Sequence, residues 1–276
     1  YQSGEHYVEA AASSIAQAYP QVDVILKYQA EEVLEAECRR LLQAGRPEQP
    51  RFVDGPDVLR LDELPIPDWG LISLDQRDVF MKRIIEHLGR GGWAFPIDGR
   101  TLPVVTSRGC PYRCGHCSSN PGRQVGDSKK QVRPSKDRVR SMVDTLVGVH
   151  GATRVMILDE MVNVDEGHFT MLVQSLAAHG VPYDFPNGMR ADRVKLHHLE
   201  AMAGKVTTLS VSAESGVQHI VDSVVDKKLN LQTIEGTIRA ATQLGIKTLV
   251  HFIIGMPGER RADVAATLKY AMSLYE

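Results

Sequence analysis

Leu102-Pro-Val-Val-Thr-Ser-Arg-Gly-Cys-Pro-Tyr-Arg-Cys-Gly-His-Cys117 holds three of the chain's four cysteines in one short loop. An apolar, β-branched run, Leu102 to Thr106, leads into it and reads as a strand. The spacing of Cys110, Cys114 and Cys117 is Cys-x-x-x-Cys-x-x-Cys. Three thiolates this close in sequence suit three irons of a cubane 4Fe-4S cluster and leave the fourth iron open to a small molecule. A structural zinc site is the competing reading. Zinc wants four ligands, and His116 sits between the cysteines with poor geometry, leaving His150 and His168 as distant donors.

Outward from this loop the chain alternates β-like runs with helical patterns. Ser135 is placed to cap a helix bearing Val139, Met142, Val143 and Leu146 on one face. Arg154 to Leu158 reads as a strand ending in Asp159 and Glu160. Asp165 then caps a helix with the stripe Phe169, Leu172, Val173 and Leu176, and Gly180 stops it. Asp184 to Met189 reads as a weak strand, followed by a short helix over Leu196 to Met202. Thr208 to Ala213 is a strand running into Glu214, and Asn230 caps a helix carrying Leu231, Ile234, Ile238, Ala241 and Leu244. Thr248 to Ile254 is the most apolar strand; its loop Gly255-Met-Pro-Gly-Glu259 leads to a last helix with the stripe Val264, Leu268 and Met272. Five strand–helix units of this kind predict an α/β fold with a parallel sheet, and polar and Gly residues recur just after the strands.

The first part differs. Val22 to Leu26 reads as a strand and Glu31 to Leu42 as an amphipathic helix on which Cys38 packs as a small hydrophobe. Arg46 to Asp68 is rich in Pro and charge and reads as a linker. Both ends of the chain read as cut from a longer architecture. The 276 residues carry a formal net charge of −2, so no global field draws in nucleic acid or an anionic membrane. The longest apolar runs are too short to span a bilayer. Few cysteines, clustered, exclude a disulfide framework and suit a reducing cytoplasm. Arg123, Lys129, Lys130, Arg133, Lys136, Arg138 and Arg140 form a basic stretch, read as a solvated face or as a docking patch for an anionic partner. No aromatic residues interleave there, which argues against single-stranded nucleic acid.

Arg108-Gly-Cys-Pro-Tyr-Arg-Cys-Gly-His-Cys117 closely resembles the signature of radical S-adenosylmethionine (radical SAM) enzymes. Leu158-Asp-Glu160, Asn187-Gly-Met-Arg-Ala-Asp192, Ser212-Ala-Glu-Ser-Gly216 and Phe252-Ile-Ile-Gly-Met-Pro-Gly-Glu259 resemble that family's later strand-end motifs, in order. Ser3-Gly-Glu-His6, Tyr19-Pro-Gln-Val-Asp-Val-Ile-Leu26, Glu31-Glu-Val-Leu34 and Leu61-Asp-Glu-Leu-Pro-Ile-Pro-Asp-Trp69 are similar to the closing third and linker of the cobalamin-binding branch. The chain departs from the family in having His116 where an aromatic residue usually precedes the third cysteine, and Ser3 where that branch has Gly. The Asp-x-His-x-x-Gly loop that offers a cobalt ligand does not occur in the sequence.

The resemblance implies a partial (β/α) radical SAM barrel over residues 99–276, preceded by the tail of a cobalamin-binding Rossmann-like domain over 1–48 and a linker over 49–98. It implies a 4Fe-4S cluster on Cys110, Cys114 and Cys117, S-adenosyl-L-methionine, and cobalamin in the full-length protein. Asp159 or Glu160 would accept hydrogen bonds from the methionine ammonium, and Arg190 would bind the carboxylate. Glu214 or Ser212 would meet the ribose; His116, with backbone from Ile253 to Gly255, the adenine; Pro257 would stiffen that turn. The plainer readings are a helix-capping pair for Asp159 and Glu160 and a surface salt bridge for Arg190. The implied activity is reductive cleavage of S-adenosylmethionine to a 5′-deoxyadenosyl radical, used for methylation, cyclisation or rearrangement of a small-molecule or natural-product substrate. A one-electron donor such as flavodoxin or ferredoxin is the implied partner. A non-catalytic iron–sulfur or zinc module for electron transfer or scaffolding is the alternative.

Overall fold

The computed structural model describes residues 12–27, 29–56, 60–89, 94–117 and 130–275. Ser3 to His6, and Arg123 and Lys129 of the basic stretch, lie outside the described residues. An N-terminal unit contains α1 (Ala12–Ala18), β1 (Val24–Lys27), α2 (Glu31–Ala44) and β2 (Arg51–Asp54), with β1 and β2 paired in parallel. A further helix, α3 (Leu74–His87), is capped by Ser73, whose hydroxyl accepts from the Gln76 amide.

The repeating units follow. They are β3 (Thr101–Val104), α4 (Lys136–Asp144), β4 (Arg154–Ile157), α5 (Glu166–His179), β5 (Tyr183–Asp184), α6 (Leu196–Met202), β6 (Thr208–Glu214), α7 (Leu231–Gln243), β7 (Lys247–Phe252) and α8 (Arg261–Ser273). β3, β4 and β5 pair in parallel, as do β6 and β7. Single parallel bridges, Tyr183 to Val206 and Met189 to Val211, join the two groups into the order β3-β4-β5-β6-β7. The sheet is open, not closed into a barrel. Right-handed crossovers between sequential neighbours place the connecting helices on one face. There Leu102, Val155, Ile157, Leu209 and Val211 meet Phe169, Leu172, Leu176, Ile234 and Ile238 in a single core.

The expected caps form. Ser135, Asp165 and Asn230 each accept a first-turn amide, and Gly180 ends α5 at φ +72°. β5 is shorter than expected: Pro186 carries no amide hydrogen and Gly188 turns to φ +77°, so the ladder breaks before Met189.

Three expectations need correction. Cys38 is exposed, and α2 buries no residue, because its apolar stripe finds only the two-stranded β1–β2 pair and leaves Leu42 in solvent. The stretch expected as linker contains β2, which completes the N-terminal sheet. The α8 stripe points outward: Leu268 and Met272 are exposed while Asp263 and Thr267 are buried. Polar contacts set that rotation, since Thr267 Oγ1 meets Ser215 Oγ at 3.1 Å and accepts from the Gly216 amide at 3.0 Å.

The N-terminal ends of the strands are tied by charge. Arg154 binds Asp98 at 2.7 Å and the fully buried Asp184 at 2.9 Å, and Asp184 also accepts the Thr207 amide at 2.8 Å. Thr208 Oγ1 donates to the Ala94 carbonyl at 2.6 Å, and Phe95 beside it is buried. Residues 94–98 therefore cross this end of the sheet, leaving the C-terminal ends for a site.

Candidate active site

The cysteine loop leaves β3 at the C-terminal end of the sheet and is fastened on several sides. Asp159, at the end of β4, accepts from the Thr106 amide at 2.6 Å, Thr106 Oγ1 at 2.8 Å and Ser107 Oγ at 2.5 Å. Burial raises the Asp159 pKa, against the lowering effect of those donors. His168 Nε2 meets Thr106 Oγ1 at 3.1 Å, and burial lowers its pKa to about 4. Glu160 accepts from the Gly109 amide at 3.2 Å. Arg108 exchanges two backbone hydrogen bonds with Val132. Gly109 has φ +82°, and a Cβ there would lie 2.5 Å from the Lys130 carbonyl oxygen, so only glycine fits. The Gly115 amide donates to the Val225 carbonyl at 2.8 Å, which ties the loop to the segment after β6.

Cys110, Cys114 and Cys117 are all half-buried on this loop. Burial pushes the Cys114 thiol up, while the nearby cations Lys227 and Arg190 pull it down. Among the described residues no group of three or more His, Cys, Asp or Glu side chains is gathered to hold a metal ion. His150 and His168 are buried and engaged elsewhere, His150 facing Asp68 at 3.8 Å.

Around the loop lies a set of buried charges. Lys227 Nζ bonds Glu214 Oε1 and the Ser212 carbonyl, each at 2.7 Å. His116 Nε2 lies 3.8 Å from the same Glu214 oxygen. Arg190, 4% exposed, holds Asp192 through two bonds and donates to the Lys227 and Lys228 carbonyls at 2.9 and 3.3 Å. Its guanidinium stacks 4.3 Å from the Tyr112 ring centroid. Arg190 is thus no surface salt bridge. β6 carries a bulge between Ser212 and Glu214, and Glu214, Asp226 and Lys228 all take positive φ. Strain of this kind persists only where surroundings over-determine it.

The β7 end completes the arrangement. The Ile253 amide donates to the Glu214 carbonyl at 2.8 Å. Glu259 Oε2 accepts from the Gly255 and Met256 amides at 2.6 and 3.3 Å, and Pro257 lies within that turn. The structure thus brings Glu214 to His116 and Arg190 to Tyr112 of the cysteine loop, with Ser212 reached through Lys227. Both Asp159 oxygens already serve Thr106 and Ser107. Lys227 was missed from sequence, because Asp-Lys-Lys in a loop carries no mark of folding back into a strand end. Asn163 was also missed, and Asn187 was read only as part of a motif, because the partners of both lie more than twenty residues away in sequence. Asn163 bonds the Arg190 backbone through both its amide atoms, and Asn187 ties the Leu158 and Asp159 carbonyls.

The model of the radical SAM superfamily matches residues 104–271. The chain belongs to the radical SAM superfamily. Among curated proteins, this radical SAM chain is 26% identical over 242 residues to cytidylyl-2-hydroxyethylphosphonate methyltransferase of Streptomyces wedmorensis, covering 84% of this chain and 43% of that protein. It is 27% identical over 231 residues to an uncharacterised methyltransferase of Pyrococcus horikoshii, covering 83% and 44%. The chain therefore spans less than half the length of either relative. Among solved structures, the cobalamin-dependent S-adenosylmethionine radical enzyme OxsB with aqua-cobalamin bound superposes with a TM-score of 0.63 at 18% identity, over 94% of this chain and 38% of that one. The radical S-adenosylmethionine methyltransferase TsrM from Kitasatospora setae, with cobalamin and a [4Fe-4S] cluster, gives a TM-score of 0.55 at 18% identity, over 64% and 35%. The chain has a mixed α/β fold related to radical SAM barrels and cobalamin-binding domains, with an open sheet. No helix among the described residues is long and apolar enough to cross a membrane.

Proposed function

We propose that this chain is the catalytic core of a radical SAM enzyme that acts on a small molecule in a reducing cytoplasm. In this reading residues 99–276 supply five units of a (β/α) barrel, the N-terminal unit through β2 closes a cobalamin-binding-like domain, and the segment after Asp54 links the two. The carrying observation is a loop of three half-buried cysteines at the C-terminal end of a parallel sheet, with Cys114 near Lys227, Glu214 and Arg190.

The donor set fits a cubane, which takes one thiolate at each of three separate corners and so does not need its donors converged on a point. Cys110, Cys114 and Cys117 would hold it. Bound there, a reduced 4Fe-4S cluster supplies the electron that splits S-adenosylmethionine into methionine and the 5′-deoxyadenosyl radical. The chain's own residues do the placing. Asp159 fixes the start of the loop and Glu160 its Gly109 amide. Arg190 and Lys227 are cations near Cys114, each paired with a carboxylate, and Arg190 is offered to the methionine carboxylate. Glu214 and Ser212 are offered to the ribose. His116, the backbone from Ile253 to Gly255, and the turn stiffened by Pro257 hold the adenine. The relatives named as methyltransferases favour methyl transfer, with cobalamin bound by the full-length protein and electrons from a flavodoxin or ferredoxin.

Anaerobic reconstitution with iron and sulfide, followed by a strong reductant and S-adenosylmethionine, tests this. Formation of 5′-deoxyadenosine is expected, and S-adenosylhomocysteine as well when cobalamin is present. A cluster that forms but never cleaves S-adenosylmethionine would reduce the protein to an electron-transfer or scaffolding module.

A further inference from the structure

The cysteine loop has two unlike sides. On one, Cys114 packs against the buried trio Ile220, Val225 and Met256, with Val224 and Ile253 beside it. Lys227, Glu214 and Arg190 lie close to the same thiol. That side is closed by protein and is the one assigned above to S-adenosylmethionine. Arg108, at the start of the loop, is held by Gln29 and Glu31 of the N-terminal unit.

The side of Cys110 carries charge instead. Arg113, between Cys110 and Cys114, is exposed. The antiparallel bridge of Arg108 with Val132 runs the segment from Lys130 back along the loop, and counting from that bridge sets Lys130 opposite Cys110. The Lys130 carbonyl oxygen is accordingly the atom that a Cβ on Gly109 would meet. Lys130 is exposed and makes no ion pair among the described residues. Lys136 opens α4 at the same end of the sheet, and it too is exposed with no ion pair among the described residues. The neighbouring acids offset only part of this. Asp165 meets Arg133 at 3.8 Å, Asp137 meets Arg140 at 3.2 Å, and Glu160 accepts the Gly109 amide. Arg138 turns to the Leu64 carbonyl beside Asp62. The patch is left positive in a chain whose formal net charge is −2.

We propose that Arg113, Lys130 and Lys136 form the docking face for an acidic one-electron carrier protein, which passes its electron across the Cys110 side of the loop. The carrier is oxidised by one electron and the cluster reduced by one; no bond forms or breaks. A folded carrier is too large to enter the side closed around Cys114, and a local positive patch draws an acidic surface to the loop and orients it. The inference rests on the proposed function, which puts a cluster on these cysteines.

Biolayer interferometry of the cluster-loaded protein with an acidic flavodoxin tests it. Saturable binding at low salt is expected, lost at about 1 M salt, where the screening length is about 3 Å. Lys130→Glu should weaken binding about tenfold, and Lys130→Arg should retain it. Lys269→Glu, at an exposed position on α8, changes the net charge equally and should leave the affinity as it was. No saturable flavodoxin binding, affinity indifferent to salt or to Lys130→Glu, an equal loss in Lys269→Glu, or tighter binding of a single-stranded oligonucleotide overturns the proposal. Formation of 5′-deoxyadenosine by the wild-type protein with dithionite is read separately. If that succeeds while the binding predictions fail, only this inference falls; if it fails while flavodoxin binds as expected, the proposed function falls.

Discussion

Lys227 Nζ sits 2.7 Å from Glu214 Oε1, with the two side chains only 5% and 8% exposed. The pair lies against the cysteine loop, and each partner makes the other tolerable in a place with little water. Buried pairs of this sort are costly to break because the survivor keeps its charge without a partner. Lys227→Met should therefore destabilise the protein by about 3–5 kcal/mol, and adding Glu214→Gln should recover part of the loss. Chemical denaturation of the two single variants and the double variant measures this. Additive losses would show that the contact carries no coupling.

Gly109 and Gly216 are closed to any side chain for different reasons. At Gly109 the obstacle is the Lys130 carbonyl at 2.5 Å together with φ +82°. Gly109→Ala should leave the helices intact while lowering the iron and sulfide bound after reconstitution, because the strain falls on the cysteine loop. At Gly216 a Cβ would come within 2.7 Å of both Thr267 Cα and Tyr270 Cβ on α8. Gly216→Ala should cost about 1–3 kcal/mol by forcing α8 outward, read as a lower denaturation midpoint.

The four cysteines should separate cleanly. Replacing Cys110, Cys114 or Cys117 by Ala is expected to abolish the stable cluster. Cys38→Ala, in an exposed position on α2, should leave iron content and visible absorption unchanged.

His168 ties stability to pH. Its pKa falls from 6.5 to about 4 on folding, chiefly through burial against Thr106. The folded value is depressed, so the contribution is fully present above pH 6.5 and is lost as pH falls toward about 4. At about 1.4 kcal/mol per pH unit the loss is on the order of 3 kcal/mol. Burial lowers His198 to about 4 as well, whereas the raised pKa of Asp159 acts in the opposite direction. The measurement is thus a difference: the gap in unfolding free energy between wild type and His168→Gln should narrow between pH 7 and pH 4. A constant gap would mean His168 is not held neutral.

Arg108 joins the cysteine loop to the N-terminal unit through Glu31 at 2.5 Å and Gln29 at 2.9 Å. These groups are about one-third exposed, so the global stability at stake is small. Arg108→Ala should raise hydrogen exchange in β1 and in the first turn of α2 without moving the global midpoint. Unchanged exchange there would show that the unit docks by other means.

Sequence patterns were sufficient wherever a local rule governs. The spacing of Cys110, Cys114 and Cys117, the caps Ser135, Asp165 and Asn230, the stop at Gly180 and the stripes of α5 and α7 each depend on residues a few positions apart. Neighbouring residues fix such features, because a cap or a helical face is satisfied within one or two turns. The same logic failed for α8, whose Val264, Leu268 and Met272 stripe obeys the helical period yet faces away from the core. A polar contact between Thr267 and Ser215, 52 residues apart, set its rotation instead.

The sequence by itself determined the cysteine spacing, the order of strands and helices, and the strand ends after which the Gly and polar motifs fall. Only the tertiary structure decided what those residues touch. It committed Asp159 to Thr106 and Ser107, buried Arg190 under the carbonyls of Lys227 and Lys228, and brought Lys227 to Glu214. The physical reason is range. Periodicity and capping are settled within a turn or two of chain, whereas a buried charge or an unfilled hydrogen bond is settled by whichever distant segment the fold carries to it.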